Sequence, residues 1–388
     1  MKRRVFVRGV AAGLAAAGTR PMRALAAPSR AGAASGSPAR VRPLVPVRVS
    51  LDRVTRTTVG LRPYRASGFV VRAEGRDGRT IVHNYGHGGG GMSLSWGTAI
   101  IAAELATRDA PDRALGAAVI GCGVIGLTTA LVLLERGWDV AIYARDVPPN
   151  TTSNMSGAQW SPTSVFDPAH VDPGFLGQYA RAARLANQRY QTLLGEDYGV
   201  RWIENYDCRD DERNGFLDGA AIRPIIDLYP EVATFGPGEH PFPTRFATRL
   251  LTMLIEPNRY LRALVRDVLA RGVRIRLQSF TSMADVLAAT AEPVIVNCTG
   301  LGAKELTGDP ELEPVRGQLS VLAPQPAVDY VTLHGGRYMF PRSDGVVLGG
   351  TFQHGDADLA PDPAAERRIL ADHAAFFDAM KTGAAASR

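Results

Sequence analysis

Apolar and polar positions along the chain fall into runs that define most of its elements. "GFVVRAEG" and "TIVHNYG" read as two strands joined by a turn at "RDGR". "WGTAIIAAELATR" (96–108) reads as a helix. "GAAVIGCGVIGLTTALVLLERGWDVAIYARD" is a strand–turn–helix–strand unit. Its residues 117–120 form a short buried strand, and Leu127, Ala130, Leu131 and Leu134 recur on one helical face. Gly137 then sits where a helix C-terminus favours positive φ, and residues 139–143 make the second strand. A helical middle section follows, including "FLGQYARAARLANQRYQTLLG". "PNRYLRALVRDVLARGVRIRLQSF" reads as helix then strand, and "PVIVNCTG" as a buried strand. The final third, "RGQLSVLA", "YVTLHGGRYMFPR" and "GVVLGGTFQ", alternates as strands do. The pattern is α/β, with a mostly antiparallel second sheet.

Composition changes this picture in one respect. The chain of 388 residues carries 44 Lys and Arg against 38 Asp and Glu, a net charge of +6. Six of the basic residues, and no acidic one, lie in residues 1–27, so the remainder holds 38 of each sign. The basic balance therefore belongs to the N-terminus, and no Lys/Arg stripe interleaved with aromatics points to nucleic acid. "MKRRVFVRG" followed by the weakly apolar "VAAGLAAAG" and by "ALA" reads as a cleaved targeting segment (1–27). The adjacent Arg3 and Arg4 point to twin-arginine export of a soluble bacterial protein. Residues 28–48, rich in Ala, Gly, Ser, Pro and Arg, read as a linker. No apolar run reaches the roughly 18 residues that span a bilayer. Cys122, Cys208 and Cys298 show no metal-ligand spacing and read as core thiols.

Three motifs carry candidate chemistry. Gly121-x-Gly123-x-x-Gly126 follows a strand and opens a helix, the context of a dinucleotide-binding Rossmann-like domain. Gly121 permits the turn, Gly123 lets a pyrophosphate approach the backbone, and Gly126 allows helix and strand to pack closely. The helix N-terminus offers free N–H groups to phosphate. Asp146 lies 20 residues after Gly126, where an acid often meets the ribose. "PNTTSNMSGAQW" adds hydroxyls at Thr151, Thr152 and Ser153 soon after the second strand. In "TVGLRPYR", Pro63 pre-sets the backbone of Arg62, which suits a bidentate grip on a carboxylate.

"GLRPYR", "VHNYGHGGGGMSLSWG", "VIGCGVIGL", "VIVNCTG", "RGQ" (316–318) and "YMFPRSDGVVLGGTF" together resemble the D-amino-acid oxidases, FAD enzymes that include the D-aspartate oxidases. The resemblance covers about 54–355 and is weakest over 162–242. In familiar members the glycine fingerprint opens the chain and the "RP" and "HNYGHGG" segments close it. Here both closing segments precede the fingerprint, so the chain resembles a circular permutant, its old ends joined by a linker at 109–116. The rival explanation is a misassembled gene. In this frame residues 49–82 are substrate-domain strands, and 83–160 are FAD-binding segments with the fingerprint. Residues 161–270 form a helical substrate-domain section, 271–303 FAD-binding strands, and 304–388 the substrate-domain sheet with a C-terminal helix.

The resemblance implies an FAD site built from Gly121, Gly123, Val124, Ile125 and Gly126, continuing through Arg145, Asp146, Thr151, Thr152 and Ser153. Gly157, Ala158 and Gln159 would meet the flavin face, backbone at Leu277 the adenine, and Thr299 would belong to the same site. Gly88, Gly89, Gly90, Gly91, Met92 and Ser93 would wrap the isoalloxazine. Arg62 and Tyr338 would hold the α-carboxylate of a D-amino acid, and the Gly89 carbonyl its amino group. His83 and His87 read as structural. The implied reaction is oxidative deamination with no protein acid–base pair: the Cα hydrogen leaves as hydride to flavin N5, and dioxygen is reduced to hydrogen peroxide. Phe352 favours neutral side chains, whereas Arg337 would favour acidic ones if it faced the pocket. A D-aspartate or glycine-type oxidase, a nicotinamide-dependent dehydrogenase and a non-catalytic flavin binder are the alternatives. The short 331–338 segment implies no lid, and a second copy of the chain, as a homodimer, would be one way to cover the pocket.

Overall fold

The computed structural model describes residues 41–109, 115–212 and 215–380. The expected targeting segment, most of the expected 28–48 linker and part of the 109–116 junction lie outside them.

Six strands form one sheet and nine the other. Chain order begins with β1 (Val54–Tyr64), β2 (Val70–Arg76), β3 (Arg79–Tyr85), α1 (Gly91–Asp109), β4 (Gly116–Ile120), α2 (Val124–Glu135) and β5 (Asp139–Ala144). It continues with α3 (Pro173–Gln191), β6 (Val200–Arg209), β7 (Ala233–Phe235), β8 (Phe246–Ile255), α4 (Pro257–Ala270) and β9 (Arg274–Leu277). Then come α5 (Met283–Ala289), β10 (Val294–Asn297), α6 (Ala303–Thr307), β11 (Glu313–Leu322), β12 (Tyr330–His334), β13 (Arg337–Arg342), β14 (Gly345–Gly349), β15 (Gln353–His354) and α7 (Pro363–Asp378).

The six-stranded sheet runs β2-β3-β10-β4-β5-β9 and is parallel except for the β2–β3 hairpin. Its central strands are buried on both faces, which is why "AAVI" and "VIVN" read as unbroken apolar runs. Helices α1 to α4 bury their apolar sides on one face, and α5 covers the other. The nine-stranded sheet runs β1-β11-β14-β13-β12-β6-β8-β7, with β15 also on β11. Every pair is antiparallel except β12 with β6. Helix α7 packs over this sheet through Ile369, Leu370, Phe376 and Phe377.

Two expected boundaries move. Residues 161–270 contain not only α3 and α4 but the ten-residue strands β6 and β8. Their partners lie at 330–334 and within the section itself, so a helical reading from local spacing alone missed the long-range pairing. Of residues 49–82, only β1 joins the antiparallel sheet. β2 and most of β3 extend the parallel sheet, because β3 pairs in register with β10 from Thr80 to His83.

Candidate active site

One large cavity, about 970 Å³, opens where the ends of the parallel strands face the antiparallel sheet. Its inner end is the fingerprint. Gly121 adopts φ +114°, and a Cβ there would stand 2.5 Å from the Cys298 carbonyl oxygen on the neighbouring strand end. A Cβ at Gly126 would fall 2.0 Å from the Gly121 oxygen, so only glycine lets α2 approach the turn. Gly123 is the N-cap of α2, whose first N–H, Val124, donates to Ser153 Oγ at 3.0 Å. A helix N-terminus with glycine backbone at the cavity wall is a fit for a pyrophosphate.

Around it stand Ile125, Arg145, Asp146, Thr151, Thr152 and Thr299. Arg145 Nε donates to Asp146 at 2.8 Å, and both side chains are exposed at the rim. Thr151 donates inward to Asn154 Oδ1 and Thr299 to Asn297 Oδ1, so these two hydroxyls brace the loops. The next stretch of wall is residues 157–159. Ala158 exchanges backbone hydrogen bonds with Ile255, and Gln159 Oε1 accepts from Asn205 at 2.8 Å. Opposite lies the turn of Gly88–Gly90 running into the N-terminus of α1, with Gly88, Gly89, Gly91, Met92 and Ser93 at the surface of the cavity. Gly90 and Gly126 pack just behind the wall instead of lining it.

Leu277 also does not line the cavity. It ends the edge strand β9 with 72% of its surface exposed, and the following residues Gln278, Ser279 and Phe280 reach the cavity instead. The strand end is fixed by Gln278 N–H donating to the Ala144 carbonyl at 2.9 Å. This turns the chain inward one residue later than the sequence placed it.

The outer end lies on β1 and β13. Arg62 donates to the Tyr338 hydroxyl at 3.3 Å and to the Thr351 carbonyl at 3.4 Å, and the Phe352 ring lies 4.4 Å from its guanidinium carbon. These residues come from segments nearly 300 positions apart, joined by the β1–β11–β14–β13 ladder. Two glycines make room for them. A Cβ at Gly317 would stand 2.3 Å from Arg62 Nη1, and one at Gly349 2.2 Å from the Tyr338 ring. Sequence reasoning missed both glycines, although each sits in a quoted motif. It also missed Leu319, Leu333 and Phe340, which give this end apolar walls. The signal for Phe340 was its spacing of two from Tyr338, which puts both on one strand face.

Charge is sparse here. Among the described residues, the charged groups lining the cavity are Arg62, Arg145, Asp146 and Glu305. Arg337 is turned away: its Nε donates to Asp372 on α7 at 2.8 Å and its Nη1 to the Gly350 carbonyl. His87 is buried, stacked on Phe69 and bonded to Thr98 Oγ1 at 3.1 Å, and burial holds its pKa down at about 3. His83 is buried between Glu74 and Asn297, with its pKa lowered mainly by burial. Both histidines hold structure. Burial pushes the thiols of Cys122 and Cys298 up to about 12, which leaves them unreactive. Among the described residues no cluster of His, Cys, Asp or Glu is arranged to hold a metal, and no helix is long and apolar enough to cross a membrane.

Residues 117–387 match the family described as FAD dependent oxidoreductase. The chain is 31% identical to the D-amino-acid oxidase of Rubrobacter xylanophilus over 264 residues, covering 66% of this chain and 74% of that one. It is 33% identical to the Streptomyces coelicolor D-amino-acid oxidase over 259 residues, covering 65% and 74%. In fold it is similar to glycine oxidase from Geobacillus kaustophilus, with TM-score 0.50 and 17% identity over 69% of this chain and 80% of that one. An L-α-glycerophosphate oxidase from Mycoplasma pneumoniae, solved with FAD bound, aligns with the same TM-score over 69% and 79%. The glycine-lined inner end fits the pyrophosphate of FAD, and the chain belongs to the FAD-dependent oxidoreductases of the D-amino-acid oxidase family.

Proposed function

We propose that the protein oxidatively deaminates neutral D-amino acids to 2-oxo acids, ammonia and hydrogen peroxide. The observation that carries this reading is the Arg62–Tyr338 pair, set in apolar walls with no second cation among the described residues at that end of the cavity. A guanidinium edge and a phenol hydroxyl grip an α-carboxylate, and the Gly89 carbonyl accepts a hydrogen bond from the α-amino group. With both groups held, the Cα hydrogen of one enantiomer faces the 157–159 wall. Bound FAD supplies the two-electron acceptor for that hydrogen, and its electrons pass on to dioxygen. The outer walls, Leu319, Leu333 and Phe340, take an apolar side chain. Arg337, engaged with Asp372, gives an acidic one nothing to pair with. The test is a visible spectrum before and after anaerobic addition of D- or L-alanine. Bleaching of a flavin band by the D-form alone supports the reading, and bleaching by acidic D-amino acids in preference to neutral ones overturns the substrate class.

The reading includes a circularly permuted order. The family match begins at residue 117, yet β1 pairs with β11 and β3 with β10, so segments before 117 complete both sheets. Tyr330 donates to the Val45 carbonyl and also meets Met380, so the two described ends share one core. Rejoining the chain through residues 380 and 41, with new ends near 112, should give a protein that still binds FAD. Failure to fold would count against permutation. Export by the twin-arginine route rests on residues 1–27 and is tested by fractionating cells with Arg3 and Arg4 intact or changed to Lys. A homodimer covering the open mouth is tested by sizing the holoenzyme.

A further inference from the structure

Arg342 ends β13 on the same strand face as Tyr338 and Phe340, four residues from the proposed carboxylate anchor. Only 3% of its side chain is exposed, and its guanidinium makes four hydrogen bonds. One edge of its guanidinium grips Asp344, with Nε donating to Oδ1 at 2.7 Å. Its Nη1 donates to the carbonyls of Ser156 and Gly157, at 3.1 and 2.8 Å. These carbonyls belong to the wall loop, which also touches β13 at Phe340: a Cβ on Gly157 would stand 2.5 Å from that ring.

The turn that follows is anchored in its own right. Asp344 accepts from Arg56 at 2.7 Å and from Asn258 on α4 at 3.2 Å. Ser343 N–H donates to the buried Glu256 at 3.0 Å, and Arg201 donates to the Pro341 carbonyl at 2.7 Å. The desolvation of a buried guanidinium is offset only where its donors meet well-placed acceptors, so these hydrogen bonds fix its geometry tightly. The 342–344 turn is therefore a rigid post, and Arg342 is the only side chain of that turn bonded to the wall loop carbonyls among the described contacts.

We propose that Arg342 is a positioning residue that fixes the 156–159 wall against the strand bearing Tyr338, and so sets the shape of the FAD site. The inference rests on the FAD-dependent reading above. Losing the guanidinium frees two carbonyls and lets the wall move, while the fingerprint end of the site stays as it was.

The experiment strips FAD from the purified protein and titrates it back by flavin fluorescence, for wild type, Arg342→Met, Arg342→Lys, Asp344→Asn and Arg337→Gln. Thermal unfolding of each apoprotein and the visible band of each holoprotein are recorded alongside. The expected result is a rise of at least tenfold in the FAD Kd for Arg342→Met, with a shifted flavin band. Arg342→Lys, which keeps the charge but not the fork, falls between it and wild type. Asp344→Asn also weakens FAD, and Arg337→Gln, which removes the same charge from the far end of β13, leaves Kd unchanged. A folded Arg342→Met protein whose Kd and band match wild type overturns the proposal, even if its melting temperature is lower. If that variant does not fold, a wild-type Kd in Arg342→Lys overturns it equally. A wild-type protein that never binds FAD would instead sink the functional reading, so the two failures are distinct.

Discussion

Substituting Gly317 by alanine tests the carboxylate anchor without touching it. Gly317 lies in β11, and its backbone is not in the left-handed region, so alanine is conformationally acceptable there. The added methyl would stand 2.3, 2.5 and 2.6 Å from Arg62 Nη1, Nη2 and the guanidinium carbon. Those atoms are the far end of a flexible side chain, so the guanidinium yields before the backbone does. Its present contacts, at 3.3 Å to Tyr338 and 3.4 Å to the Thr351 carbonyl, leave no slack for a move that keeps the pair converged. A charge-assisted hydrogen bond contributes about 1.5–3 kcal/mol, which is roughly tenfold to a hundredfold in affinity. KM for a neutral D-amino acid should therefore rise at least about tenfold, approaching that of Arg62→Lys, with FAD content and melting temperature near wild type. The assay is steady-state peroxide formation, with flavin content and thermal unfolding measured on the same samples. An unchanged KM in a folded, flavin-loaded Gly317→Ala protein would refute the role given to Arg62.

Other expectations are as specific. Gly126→Ala puts a methyl 2.0 Å from a backbone oxygen that cannot move aside, so the purified protein should lose its flavin absorbance and melt earlier. Phe352→Ala removes a partly exposed ring lying over the Arg62 guanidinium, a contact worth about 0.5–1 kcal/mol, so KM should rise by roughly two- to fivefold. Acidity should destabilise the fold well before the carboxylates titrate. Burial depresses His87 to about 3 and His373 to about 4 from 6.5, and lowers His334 as well. The unfolded chain takes up protons the folded chain refuses, so stability present above pH 6.5 is lost as pH falls towards these values. The two fully buried groups, His87 and His373, each contribute about 1.4 kcal/mol per pH unit. Melting temperatures that stay flat from pH 7 to pH 5 would contradict this.

The parallel half of the fold was legible because its determinants are local. The strand–turn–helix–strand unit from 116 to 144 carries its own glycines and periodicity, and a turn that must bring backbone to within contact of a neighbouring strand admits no other residue at 121 or 126. The chemistry of the ends was legible for the same reason: Arg62 and Tyr338 sit in short motifs with distinctive neighbours. What tertiary structure alone decided was anything set by partners far along the chain. β6 and β8 are strands because each other and residues 330–334 complete them, not because their spacing is clean. Leu277 gave way to its neighbours because a single backbone hydrogen bond to Ala144 sets where the edge strand turns. Arg337 and Arg342, five residues apart on one strand, look alike in sequence. Alternation puts them on opposite faces of the pleated strand, but only the element that lies opposite each decides its role. One meets Asp372 on α7, and the other meets the carbonyls of the cavity wall. Sequence determined which groups were available to the site; only packing between the two sheets decided which of them face it.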